Sequence, residues 1–416
     1  MTGRGEHLVR ADRGFAVGGG IAARLVAPAF AKVLDLLDER LVRGGIEATL
    51  PDGVQRRIGF HAPGTIATVN LGSWMALVRL ATSGSVGWYK AWAQGEWSSP
   101  DPVALFELFT ANSLELGRAA RAKGPFRWMN ALAHRLRDNA PRKAKRNIAA
   151  HYDLGNDFYA AWLDATMTYS CARFASPDQP LDAAQLRKIA LLLDRLELKR
   201  GQRLLDIGCG WGSLAIEAGK RGVTVVGLTL SEEQKAWADA KVAEAGLADR
   251  VEIRLQDYRH IAEQFDAVAS VEMVEAVGMR WWGAYLDSIA RNLKLGGRAA
   301  LQFISIDHRL FDRYSKSADF IQTYIFPGGL LLDEPRFAAL AKERALSWDD
   351  RDGFGEDYAR TLNLWRQRYD AAVARGDLEG FGEEFHNLWR YYLMYCEGGF
   401  RGGAIDVAQV TMVRSR

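Results

Sequence analysis

Apolar residues recur at helical spacing over residues 21–43, at Leu25, Val26, Phe30, Val33, Leu34, Leu37 and Leu41, and predict an amphipathic helix. Residues 46–69 switch to short β-like pieces. Pro51-Asp52-Gly53 and Pro63-Gly64 break them as turn signals. Residues 71–80 and 86–92 read as helical or extended. Asp101-Pro102 opens a helix over 103–116, with proline in its first turn. Residues 137–146 are basic and proline-broken, which reads as a linker or hinge. From Lys199 the pattern alternates. Strands are predicted at 203–207, 224–228, 251–255, 267–271 and 298–304, with helices at 212–221, 232–245 and 281–292 between them. That is a doubly wound, mostly parallel α/β sheet. Past residue 310 the chain reads as helical and aromatic-rich, with no internal repeat.

The chain has 416 residues, enough for two domains. Its 48% hydrophobic and 25% charged residues are those of an ordinary globular protein. A net charge of +3 is too small to imply nucleic acid binding. Cys171, Cys209 and Cys396 lie far apart and match neither a zinc spacing nor a secreted disulfide framework. No metal site is expected, and a reducing cytoplasm is the expected compartment. No uncharged apolar run has membrane-spanning length. The apolar stretch 14–30 is interrupted by Arg24 and reads as part of a mature soluble protein, so any membrane contact is peripheral.

The sharpest motif is Leu204-Leu205-Asp206-Ile207-Gly208-Cys209-Gly210-Trp211-Gly212. An apolar strand ends in an acid, glycines alternate, and a helix begins. Glycines let the backbone turn sharply and a flat ligand lie against it. The third glycine comes one residue too early for G-x-G-x-x-G. The next strand ends in Thr229, where a nicotinamide enzyme shows Asp or Glu. Thr229 and Gln234 stand where ribose hydroxyls would lie, though Ser231 and Gln234 also make a capping box. Asp257 and Tyr258 come within reach of an adenine, or Asp257 is a turn residue. Glu272 and Glu275 place two acids at the ligand-bearing sheet edge. Tyr169-Ser170-Cys171 could fold over a cofactor; Cys171 alone reads as a small buried residue. The late aromatic residues are core by default, and their ring faces could also stabilise a cation.

The glycine spacing resembles the first motif of class I S-adenosylmethionine (SAM) methyltransferases. Further stretches resemble the cyclopropane-fatty-acid synthase family: His151-Tyr152-Asp153-Leu154-Gly155-Asn156-Asp157-Phe158-Tyr159, Tyr169-Ser170-Cys171, Gly227-Leu228-Thr229-Leu230-Ser231, Gln256-Asp257-Tyr258-Arg259, Tyr324-Ile325-Phe326-Pro327-Gly328-Gly329 and Phe400-Arg401. The resemblance implies a catalytic domain over 151–416 with an aromatic substrate cap, and a basic linker at 137–150. It also implies a smaller N-terminal α+β accessory domain over 1–136, suited to lipid docking or homodimer formation. The implied cofactor is SAM, held by Tyr169, Ser170, Asp206, Gly208, Gly210, Gly212, Thr229, Leu230, Gln234, Asp257 and Tyr258. The implied reaction adds the SAM methyl to a cis double bond in a membrane phospholipid at the inner membrane surface. A carbocation results, and a bound base, bicarbonate in the family, removes a proton as the ring closes. The family's bicarbonate site matches Cys171, Glu275, the Ile304 backbone and Tyr358. This chain departs from many members at Gln302 (histidine there), Glu272 (glycine) and Ala276 (histidine). Pairing of Glu272 with Gln302 is expected to rebuild the pocket. A C-methyltransferase leaving a methyl- or methylene-branched chain is the rival reading. A lipid-binding protein that has lost catalysis is another.

Overall fold

The computed structural model describes residues 4–10, 27–117, 154–317 and 319–415. The basic stretch 137–150 and His151-Tyr152-Asp153 lie outside them. The chain divides into two compact units. One comprises Met1–Arg137, Arg309–Pro327 and Glu379–Ile405; the other comprises Asp138–His308, Gly328–Leu378 and Asp406–Arg416. This differs from the linear division expected from the sequence: two late segments belong with the N-terminal residues.

In the first unit, β1 (Arg43–Thr49), β2 (Gln55–Gly59), β3 (Ala62–Leu71) and β4 (Trp97–Ser98) form a sheet in the order β2-β1-β3-β4. The turn at 51–53 joins β1 and β2 as expected, with Leu50 N–H donating to Val54 O at 2.9 Å. Pro63-Gly64 is no turn but lies within β3. Gly64 is needed there because a Cβ would stand 2.6 Å from the Gly44 nitrogen. The undecided region is one helix, Met75–Ala93, kinked at Gly84. Asp101 caps helix Pro102–Ala111 through its carboxylate. The late segments join this unit through aromatic packing. Tyr391, on helix Glu383–Arg401, lies 5.0 Å from Tyr89 and 5.2 Å from Phe106, and Phe320 lies 4.9 Å from Tyr89. Gly398 permits the close approach, since a Cβ there would stand 2.4 Å from the Phe106 Cβ.

The second unit holds β5 (Arg203–Ile207), β6 (Thr224–Thr229), β7 (Val251–Leu255), β8 (Phe265–Val271), β9 (Leu293–Ile306), β10 (Asp349–Gly353) and β11 (Ile405–Val413), all but the first residue of β11 lying within it. Their order is β10-β11-β9-β8-β5-β6-β7. The β5–β6, β6–β7, β5–β8 and β8–β9 pairs are parallel. Helices Ser213–Lys220, Glu232–Glu244 and Trp282–Asn292 connect them, and helix Leu181–Arg195 precedes β5. The buried strand runs of Leu204, Val225, Ile253, Ala267 and Ala300 share one core with Ile189, Leu192 and Ala215, as a sheet covered on both faces requires. The expected doubly wound sheet is therefore present. β10 and β11 were not expected, because the C-terminal part read as helical throughout. Strand order reverses between β5 and β8, and ligands bind at such a reversal, beyond the carboxyl ends of the strands.

Candidate active site

The turn after β5 carries Gly208, Gly210 and Gly212, all at positive φ (79°, 54° and 89°). Gly212 is the N-cap of helix Ser213–Lys220. A Cβ at Gly210 would meet nothing within 4 Å, so this backbone faces open space. Asp206 is 2% exposed, and its Oδ2 has no hydrogen-bond partner among the described residues. Burial raises its carboxyl to about 7, opposed by the charge of Lys188.

Thr229 Oγ1 donates to Gln234 Oε1 at 2.8 Å, and Ser231 Oγ caps the following helix by accepting from Gln234 N–H at 3.2 Å. The capping reading of Ser231 and Gln234 therefore holds beside any ligand role. Leu230 is half-buried between them. Asp257 accepts from the Arg259 backbone N–H and guanidinium, at 2.9 Å for Nε and 2.6 Å for the terminal nitrogen. Its carboxylate thus fixes the Tyr258–His260 turn. The Tyr258 ring packs on Tyr285 at 5.5 Å.

The carboxyl ends of β8 and β9 bring Glu272, Glu275, Gln302 and Ile304 together. Glu272 sits at φ +48°, and its N–H donates to Gln302 O at 2.7 Å. Its Oε1 accepts from Cys171 N–H at 2.9 Å and from Gln302 Nε2 at 2.8 Å. Its Oε2 accepts from Tyr358 OH at 2.6 Å. The expected Glu272–Gln302 pair is thus formed. Three donors facing one carboxyl group mark it as ionised. Burial raises the Glu272 carboxyl above its ordinary value, and the bonds from Tyr358, Cys171 and Gln302 oppose that rise. Glu275 Oε1 accepts from Ile304 N–H, while its Oε2 is buried without a partner among the described residues. Burial and the neighbouring Glu272 charge push Glu275 up to about 8. At neutral pH Glu275 therefore holds a proton, while the three donors around Glu272 favour its charged form, two carboxyls set apart by their surroundings.

The Cys171 thiol is fully buried, donates to Ala172 O at 3.1 Å, and is held protonated by burial. Its contribution to the cluster is its backbone N–H. Tyr169 packs among Tyr159, Trp162 and Trp365 at 5.3–5.5 Å. Ser170 Oγ accepts from Lys188 Nζ at 2.8 Å.

Two residues of this cluster escaped the sequence reading. Lys188 is 1% exposed, its ammonium lowered to about 8 by burial and held up by Glu272 and other anions. Gln409, on β11, donates to Gln302 Oε1 at 3.0 Å and so fixes which end of that amide faces Glu272. The available signal for Lys188 is its place with Gln185, Ile189 and Leu192 on one buried helix face.

The residues fit SAM as a ligand: an unfilled glycine cradle and an orphaned acid at the end of β5, with hydroxyl and amide groups at the end of β6. Comparisons with known proteins agree. The model of the mycolic acid cyclopropane synthetase family matches residues 139–410. The chain is 38% identical over 378 residues to tuberculostearic acid methyltransferase UfaA1 of Mycobacterium tuberculosis, covering 88% of this chain and 82% of that protein. It is 35% identical over 344 residues to the cyclopropane-fatty-acyl-phospholipid synthase of Escherichia coli, covering 81% and 85%. The solved structure of mycolic acid cyclopropane synthase CmaA1 with SAH and CTAB aligns at a TM-score of 0.61 and 34% identity, over 65% of this chain and 98% of that one. Match and geometry together place this chain in the mycolic acid cyclopropane synthetase family, as a SAM-dependent methyltransferase that modifies lipids.

Proposed function

We propose that this enzyme transfers the SAM methyl group to the cis double bond of an unsaturated acyl chain in a phospholipid and closes a cyclopropane ring. The observation that carries the reading is the Glu272 cluster beside the glycine turn, an anionic pocket at the strand ends where a cation must be stabilised and a proton removed. SAM supplies an electrophilic methyl on a sulfonium. Gly208 and Gly210 would let its amino acid portion lie against the backbone, and Asp206 Oδ2, without a partner among the described residues, would accept from that portion's ammonium. Thr229, Leu230 and Gln234 line the ribose side. Tyr258, positioned by Asp257, takes the adenine face. Tyr169 and Ser170 would cover the ligand, with Ser170 held by Lys188. The rings of Tyr159, Trp162, Tyr169, Trp365 and Tyr358 in the same unit support a dry site that stabilises a carbocation without attacking it. Neutral Glu275 keeps a second negative charge out of the pocket.

Loss of a proton from the transferred methyl gives the ring. Loss from a neighbouring chain carbon gives a methyl-branched alkene instead. Glu272, in a pocket where many relatives have glycine, favours keeping this second reading, as does the similarity to a tuberculostearic acid methyltransferase.

Membrane contact in this reading is peripheral and cytoplasmic. Among the described residues no helix is long and apolar enough to cross a membrane. The basic residues Arg137, Arg142, Lys143, Lys145 and Arg146 would meet anionic lipid, so high salt should weaken vesicle binding; salt-independent binding contradicts this. The deciding experiment incubates the protein with SAM and monounsaturated phospholipid vesicles and analyses the released fatty acids. A gain of one CH2 unit, loss of the olefinic proton signal and a new cyclopropyl signal are expected. A retained olefinic or methylene signal makes the product branched, and no gain at all overturns both readings.

A further inference from the structure

Beside Glu272 the donors that a bicarbonate ion would need are already engaged within the chain. Of the groups that the family resemblance assigns to it, Cys171 N–H and Tyr358 OH donate to Glu272, where Gln302 Nε2 joins them, and the Ile304 N–H donates to Glu275. A carboxylate offers about four lone-pair positions, and three are filled, two on Oε1 and one on Oε2. One position on Oε2 stays open. The backbone carries a second sign of this arrangement. Glu272 lies at φ +48°, a conformation that residues with side chains rarely adopt. Its N–H bond to Gln302 O pins the residue there.

We propose that the Glu272 carboxylate is the enzyme's own proton acceptor, standing in place of a bound bicarbonate. The inference rests on the methyl-transfer reading above. The alkene π pair bonds the methyl carbon, and the sulfur–methyl bond breaks with its pair going to sulfur. The other alkene carbon is left cationic. A C–H bond of the new methyl then breaks. Its electron pair forms the third ring bond, and the proton goes to Glu272 Oε2. The protonated carboxyl returns its proton to solvent after the product leaves. Gln409, holding the Gln302 amide in place, and Lys188, supplying positive charge, are positioning residues for this base.

The test uses the full chain, SAM and monounsaturated phospholipid vesicles in carbonate-free buffer under inert gas. Wild-type turnover should change less than about twofold when bicarbonate is added. The Glu272→Gly variant should fold, because glycine relaxes the φ +48° backbone; an unchanged SAM titration and melting curve check this. In carbonate-free buffer it should lose about 100-fold or more in turnover, the scale of a missing general base. Added bicarbonate should restore about tenfold or more by occupying the vacated donors. Carbon-13 NMR of labelled bicarbonate should show binding to the variant and none to the wild type. The proposal is overturned if wild-type activity collapses without bicarbonate, if labelled bicarbonate binds both proteins alike, or if the glycine variant keeps full carbonate-free activity. If the wild type modifies no unsaturated lipid, the methyl-transfer reading fails instead. The NMR comparison still reports whether Glu272 fills the pocket.

Discussion

At the end of β5 the chain presents glycines and an Asp206 oxygen with no partner among the described residues; past the end of β8 it presents a glutamate whose carboxylate three donors already hold. The two strand ends are neighbours in the sheet, and their difference shows how one pocket edge can be specialised twice. In the proposed reading the bare backbone at β5 leaves contacts for a ligand to supply, and at β8 the protein supplies its own anion, with Lys188 and Gln409 as positioning residues. Side-chain bulk should therefore be fatal at the first end, and loss of a donor should be graded at the second.

The largest effect is expected at Gly210. Leucine there both fills the cradle and takes φ +54°, which favours glycine. Gly210→Leu should weaken SAM binding by about 100-fold or more, since it removes a backbone approach rather than one contact; calorimetric titration reads this, and near-normal binding would break the contrast. Next comes Tyr358→Phe. Loss of one charge-assisted hydrogen bond, worth about 1.5–3 kcal/mol, should lower turnover about 10- to 100-fold and leave the SAM affinity unchanged. A smaller effect is expected from the Glu272→Gly, Gln302→His double-mutant cycle on turnover. The two side chains touch at 2.8 Å, so a coupling of about 1 kcal/mol or more should appear; additive losses would mean the pair does not act together.

The smallest effect is on stability. Glu275 is raised from 4.5 to about 8 in the folded protein, so the folded state binds more protons than the unfolded one between those values. Its contribution to stability is present below about 4.5 and falls as pH rises to about 8. Asp206, raised from 3.8 to about 7, acts with the same sign. Glu275→Gln should flatten part of the decline in melting temperature from pH 5 to pH 8, and an unchanged slope would contradict the assignment of the proton.

β5, β6, β8 and the second half of β9 were legible as mostly apolar runs, and β7, Val251-Glu252-Ile253-Arg254-Leu255, as an alternation of apolar and charged residues. β10 was not, since Asp349-Asp350-Arg351-Asp352-Gly353 is charged and mostly exposed. β11 buries Gln409 and Thr411 as fully as its apolar residues, so no alternation marks it. Glycines, Glu272 and Glu275 could be placed at the ligand edge from spacing alone. The Gln302 contact with Glu272 follows from the resemblance, but that Cys171 N–H and Tyr358 OH also converge on Glu272 does not, because they come from residues 101 and 86 positions away. The joining of 309–327 and 379–405 to the N-terminal unit depends on rings such as Tyr391 meeting Tyr89, a pairing that local periodicity does not carry.

A crystal structure of the SAH complex grown with bicarbonate tests the central contrast most directly. The account predicts SAH against the Gly208–Gly210 backbone, with the Glu272 carboxylate still bound by Cys171 N–H, Gln302 and Tyr358. A planar three-oxygen ion among those donors, with Glu272 turned out of the pocket, would contradict it.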